Sequence, residues 1–171
     1  MACLYLTMLG PYSTKLDDLS LSGFEGDKVR ALLAYLTIEA GHPHRRSALA
    51  GLLWPDYPES AARASLRNAL SNLRLTIRDR EASPRYLICD QETIQFNLES
   101  NHWVDVRAFV EKIGVGSRNK PGNDPECRVR IFKEAVELYQ GSFLQGFSLR
   151  DSQGFEEWQL LKQEWLRRQA L

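Results

Sequence analysis

Four arginines, Arg63, Arg67, Arg74 and Arg78, recur at intervals of four or seven residues between Pro58 and Arg80. On an α-helix that spacing lines them along one edge, because residues three, four and seven apart share a face. Next to the edge fall Ala64, Asn68, Ser71 and Asn72, a surface of small, hydroxyl and amide side chains. The combination suits duplex DNA, where guanidinium groups hold phosphates and amides, hydroxyls and methyl groups meet base edges. Asn68 and Asn72 can each pair with adenine N6/N7, Ser71 can donate or accept, and Ala64 can touch a thymine methyl. Arg67 lies between the two surfaces and can reach guanine O6/N7 or a phosphate. Arg63, Arg74 and Arg78 are placed for phosphates, with pairing to Asp or Glu inside the domain as the alternative for Arg63 and Arg74. Arg45 and Arg46 are candidate backbone contacts or a solvated helix start, and Arg85 is the one cation at the base of the hairpin that follows. The plainer alternative for the whole stretch is a solvated amphipathic helix.

Pro58–Arg80 is long enough for one helix of roughly six turns. Ala62, Leu66, Ala69, Leu70, Leu73 and Ile77 form a core-facing stripe, and Pro58 and Glu59 suit its first turn. Two shorter helices precede it. One begins near Gly26-Asp27 and runs to Ala40-Gly41, with Val29, Leu32, Leu33 and Leu36 on one side. The other covers residues 45–54 with Leu49, Leu52 and Leu53 inward, and Pro55 stops it. His42-Pro43-His44 is expected to be a surface turn between them rather than a metal site. Three helices with the longest and most basic last match the order of a helix-turn-helix core. Ahead of them, residues 3–9 and the segments around Lys15-Leu16 and Leu19–Leu21 predict a small antiparallel sheet. After Ser83-Pro84, strands at 85–89 and 93–98 predict a β-hairpin in the position of a wing. Its tip, Asp90-Gln91-Glu92, is acidic.

The chain has 171 residues, 43% hydrophobic and 26% charged, with 22 basic and 22 acidic side chains. That length can bury a sizeable core or two small ones. A neutral total says nothing about a polyanionic partner, but the distribution does. Seven arginines between Pro43 and Arg80 stand against only Asp56, Glu59 and Asp79, a local basic block of the kind found in nucleic-acid binders. Cys3, Cys89 and Cys127 are widely spaced and outside any CxxC arrangement, which fits a reducing compartment. No apolar run is long enough to span a membrane and no secretory leader opens the chain, so a cytoplasmic location is expected. No Walker-type loop, GxSxG or paired carboxylates on one face are present. The reading is of a non-enzyme without metal or cofactor.

From Asn101 the pattern becomes helical. Helices are expected near Val106–Ile113, over Arg128–Gln140 with Phe132, Ala135, Val136 and Tyr139 buried, and from Phe155 onward with Phe155, Trp158, Leu161 and Trp165 along one side. Gly114–Pro125 is expected to be a loop, and Gly141–Phe147 is a glycine-punctuated aromatic connector. The last helix is still apolar at Leu171, which reads as a piece of a longer protein.

The segments RALLAYLTIEAG (30–41), RRSALAGLLWPD (45–56), ARASLRNALSNLR (62–74), ETIQFN (92–97), VDVRAF (104–109) and LYQGSFLQGFSLRDSQGFEEW (138–158) occur in an order that resembles the SARP-type bacterial transcriptional regulators. The resemblance spans nearly the whole chain, although no single segment is specific. It implies an α+β fold: an OmpR-like winged helix-turn-helix over residues 1–98, with N-terminal sheet, three helices and a β-hairpin wing. An all-α, TPR-like segment, the start of the bacterial transcriptional activator domain, follows over 99–171. It also implies a DNA-binding activator on promoter direct repeats, with double-stranded DNA, RNA polymerase and a second copy on an adjacent repeat as partners. The acidic tip departs from a basic wing, and favours a rival in which the fold has become a protein-interaction module.

Overall fold

The computed structural model describes residues 2–117 and 124–171. Three strands open the chain: β1 (Leu4–Thr7), β2 (Ser13–Leu16) and β3 (Leu19–Ser20). Asp17 makes the tight β2–β3 turn with a positive φ of 52°. Helix α1 (Asp27–Ile38) follows, then the two-residue strand β4 (His44–Arg45), α2 (Arg46–Leu53) and α3 (Glu59–Thr76). A short 3-10 turn, Asp79–Glu81, leads to the hairpin β5 (Leu87–Cys89) and β6 (Thr93–Phe96). Strand β7 (His102–Val104) then runs directly into α4 (Asp105–Ser117), and α5 (Pro125–Leu138) and α6 (Gln153–Ala170) complete the chain. The architecture is α+β, with six α-helices and two small sheets among the described residues. No helix among the described residues is long and apolar enough to cross a membrane.

The first sheet has the order β3-β2-β1-β7. β1 pairs antiparallel with β2 on one side and parallel with β7 on the other, Leu6 opposite Val104. The sheet is therefore mixed rather than antiparallel, and its fourth strand comes from beyond residue 98. The expected division at that residue does not separate two cores. Asp105, at the start of α4, accepts hydrogen bonds from Met8 N and Leu9 N at 2.9 Å. Leu144 N donates to Met8 O at 2.7 Å. Ser152 Oγ donates to Leu53 O at 2.7 Å, and Trp158 Nε1 donates to Glu39 at 2.8 Å. Leu6, Leu33, Phe109, Phe143 and Phe155 belong to one continuous buried cluster. Gly10 (φ 127°) and Gly141 lie where the connector runs beside residues 9–11, just after β1, and a Cβ on Gly141 would press on Gly10 Cα at 3.2 Å.

Several expected details differ. α3 ends at Thr76 rather than reaching Arg80, because Arg78 takes a left-handed conformation (φ 55°) that turns the chain away. His44 is buried in β4 rather than lying on a surface turn, its Nε2 2.7 Å from Glu39 O. Gly114–Ser117 continue α4, Asp124 caps α5 and Pro125 opens it; residues 118–123 of the expected Gly114–Pro125 loop lie outside the described residues. On α5 Val136 is exposed while Ala135 is buried. On α6 Leu161 and Trp165 are exposed, and Gln159 takes the inward position, donating to Phe147 O at 2.8 Å.

Candidate nucleic-acid interface

Helix α3 is anchored by its apolar side. Ala62, Leu66, Ala69, Leu70 and Leu73 are buried, and α1 and α2 pack against it. What remains outward is a stripe along the helix: Ser60, Ala64, Arg67, Asn68, Ser71 and Leu75. Ala64 is half-buried and the others are exposed. Four of the five residues expected to face bases thus share one surface.

Asn72 is the exception and a correction. It is 9% exposed, and its side chain belongs to the domain interior. Its Oδ1 accepts from Glu25 N at 3.0 Å and its Nδ2 donates to Gly23 O at 3.1 Å. The physical reason is angular. At 100° per residue, Asn72 stands about 80° round the helix from Ala64, far enough to meet the loop that precedes α1. Leu75 is the converse, 78% exposed at the end of the outward stripe. Its position on the helical wheel, among polar residues, was the signal that could have shown this.

Beside the stripe lies a groove of about 730 Å³, walled by Arg63, Arg67 and Arg74 of α3, by Arg45, Arg46 and Ser47, and by Cys89–Glu92 of the hairpin. Tertiary structure therefore gathers five of the candidate arginines from two separate stretches. They differ in what else they do. Arg63 leans toward Glu59 at 3.3 Å on the helix surface. Arg46 Nε donates to Asp90 O at 3.0 Å, which fixes its guanidinium on the groove wall. Arg74 Nε pairs at 3.1 Å with Asp79, whose side chain is fully buried and whose other oxygen accepts from Leu87 N at 3.0 Å. Arg74 is thus committed to an internal ion pair, the alternative foreseen for it, rather than free to clamp phosphate.

Arg78 and Arg85 are not in the groove. Arg78, beyond the end of α3, lines a different depression with Ala2, Leu16 and Tyr86. Arg85 is exposed ahead of β5, where its carbonyl accepts from Asn97 Nδ2 at 2.9 Å. Arg78 is displaced from the arginine edge by the early end of the helix and the turn that buries Asp79, whereas Arg85 stands at the base of the hairpin, as expected, but away from the groove.

The hairpin tip is tightly built. Asp90 accepts from Glu92 N and Thr93 N, both at 2.7 Å, and from Thr93 Oγ1 at 3.1 Å. The Thr93 and Glu92 amides, helped by the Thr93 hydroxyl and Arg46, hold its carboxyl below the usual value. Behind it β4 pairs with β6, Arg45 opposite Thr93. Ile94 and Phe96 are fully buried, which fixes the hairpin to the core on alternate residues.

No family model matches the sequence. Among curated proteins, it is 37% identical over 150 residues to the transcriptional regulatory protein EmbR of Mycobacterium tuberculosis and that of Mycobacterium bovis. The chain is a homologue of EmbR. The aligned region is 87% of this chain and 38% of the EmbR chains, so the homology concerns well under half of those proteins. A solved structure, Mycobacterium tuberculosis EmbR in complex with a low-affinity phosphopeptide, superposes with a TM-score of 0.79 at 26% identity. That match covers 99% of this chain and 43% of the EmbR chain. The resemblance to SARP-type regulators carried by the six quoted segments holds in both sequence and fold.

Proposed function

We propose that this chain is the DNA-reading part of a bacterial transcriptional regulator acting in the cytoplasm. In this reading α1, α2, α3 and the β5–β6 hairpin are a winged helix-turn-helix of the OmpR type, and α3 is its recognition helix. The observation that carries it is the juxtaposition on α3 of an outward polar stripe with an arginine-lined groove. The stripe, Ala64, Arg67, Asn68 and Ser71, suits base edges. The groove, with Arg45, Arg46 and Arg63 on its walls, suits one sugar–phosphate strand. The similarity to EmbR, a protein named as a transcriptional regulator, supports the same role.

Helices α4–α6 are read as the beginning of a TPR-like activator domain, which shares its core with the DNA-reading part. Activation on promoter direct repeats, a second copy on the adjacent repeat and recruitment of RNA polymerase belong to the same proposal. The test is a duplex titration with selected sequences, run with Arg67→Ala and Asn68→Ala beside their thermal melts. Each substitution weakens specific binding by roughly 1–3 kcal/mol with the fold intact. Log K falls with log salt, because phosphate contacts release counterions. Normal affinity in both variants removes α3 from the role of reader.

One observation favours a second reading, a protein-interaction module without DNA binding: the carboxylates Asp90 and Glu92 line the groove. A flat salt response with no shifted species in a gel would select it.

A further inference from the structure

The two carboxylates share the groove with the arginines, so any phosphate strand that enters must pass between them. Their wall is fixed in place. Arg46 N donates to Glu92 O at 2.8 Å, Arg46 Nε donates to Asp90 O at 3.0 Å, and β4 pairs with β6 behind the tip. A tip held from three directions has little freedom to swing aside for an incoming backbone.

Asp90 and Glu92 have different tasks. The Asp90 carboxylate closes the turn through Glu92 N, Thr93 N and Thr93 Oγ1. Glu92 is exposed, and among the described residues no ion pair joins its carboxylate to an arginine of the groove. Its charge is therefore presented to whatever occupies the space. Like charges within about 10 Å, roughly one Debye length at 0.1 M salt, still repel.

We propose that Glu92, on a turn that Asp90 folds, is an electrostatic stop. It keeps the sugar–phosphate strand against α3 and the start of α2 and off the hairpin. It also holds duplex affinity below what the arginines alone would give. The proposal rests on the DNA reading above, and its consequence is docking in which the hairpin tip contributes no phosphate contact.

The experiment titrates the 171-residue chain with a mixed-sequence duplex across a range of salt. Wild type is compared with Glu92→Gln, Glu92→Lys and Glu99→Gln, the last an equal charge change at an exposed residue outside the groove. Thermal melts show that each variant is folded. Asp90 is left intact because its loss would open the turn. Glu92→Gln is expected to bind about threefold tighter at low salt, with the gain fading as salt rises. Glu92→Lys is expected to bind tighter still, with a log–log salt slope steeper by about 0.9, one added phosphate contact. Wild-type-like or weaker binding by Glu92→Gln, or an equal gain in Glu99→Gln, overturns the stop and leaves the DNA reading standing. Failure of the wild-type chain to bind any duplex at low salt overturns both.

Discussion

Asn68 and Asn72 stand one helical turn apart and carry the same side chain, yet replacing each with alanine should have opposite consequences. Asn72→Ala removes the bonds to Glu25 N at 3.0 Å and Gly23 O at 3.1 Å. Gly23 O keeps a partner, because Thr76 Oγ1 also donates to it at 3.1 Å. Only Glu25 N loses its protein partner. Two bonds at about 1 kcal/mol each set the gross loss. Alanine's better helix propensity returns about 0.6 kcal/mol, leaving a net destabilisation of about 1.5 kcal/mol. For a chain of this length that lowers the melting temperature by about 3–6 °C. Asn68 is exposed and none of its side-chain atoms is bonded within the described residues. Asn68→Ala should therefore leave the melt unchanged or raise it slightly, while weakening specific DNA binding by roughly 1–3 kcal/mol. The assay is a thermal or urea melt of both variants, followed by duplex titration at a temperature where both are folded. An Asn72→Ala melt at or above wild type would refute the reasoning, as would an Asn72→Ala variant that keeps its stability and loses DNA affinity.

Arg74→Ala should act on the fold first: it strands the buried Asp79 carboxylate with only Leu87 N as partner, and a loss of about 3 kcal/mol is expected in a urea melt. A wild-type midpoint for that variant would return Arg74 to the set of phosphate clamps. His102 should make stability pH-dependent. Burial pushes its imidazole below the usual 6.5, and the nearby Arg107 guanidinium acts in the same direction against the Ser100 carbonyl. With the folded value depressed, its contribution is present above the unfolded value of about 6.5 and is lost as pH falls through the folded one. Melting temperatures measured from pH 8 down to about pH 5 should fall more steeply for wild type than for His102→Gln. Glu39 ties α1 to α6. Burial alone would raise its carboxyl, but the Trp158 indole and the Lys162 ammonium outweigh that and hold it below its ordinary 4.5. Its contribution is present above the unfolded value and lost as pH falls through the folded one. Glu39→Gln should therefore destabilise near neutral pH and converge on wild type in acid melts.

The sequence by itself determined what local periodicity can determine. The apolar stripe of α3 is legible because Ala62, Leu66, Ala69, Leu70 and Leu73 repeat at helical intervals, and all five are buried. The polar stripe through Ala64, Arg67, Asn68 and Ser71 is the complement of that repeat, so it was legible too. The hairpin was marked by two strand-like runs, 85–89 and 93–98, on either side of the acidic Asp90-Gln91-Glu92, and β5 pairs with β6 there. Tertiary structure decided what each polar residue faces. Asn72 lies close enough to the polar stripe to be counted with it, and only the position of the Gly23–Glu25 backbone draws it inward. Arg74 and Arg78 continue the arginine spacing, but the early end of α3 and the buried Asp79 give one an internal partner and move the other to a different depression. The pairing of β7 with β1, nearly a hundred residues apart in sequence, has no local signature at all. Hydrophobic period is a property of a segment, whereas the destination of a side-chain hydrogen bond depends on which distant backbone arrives beside it.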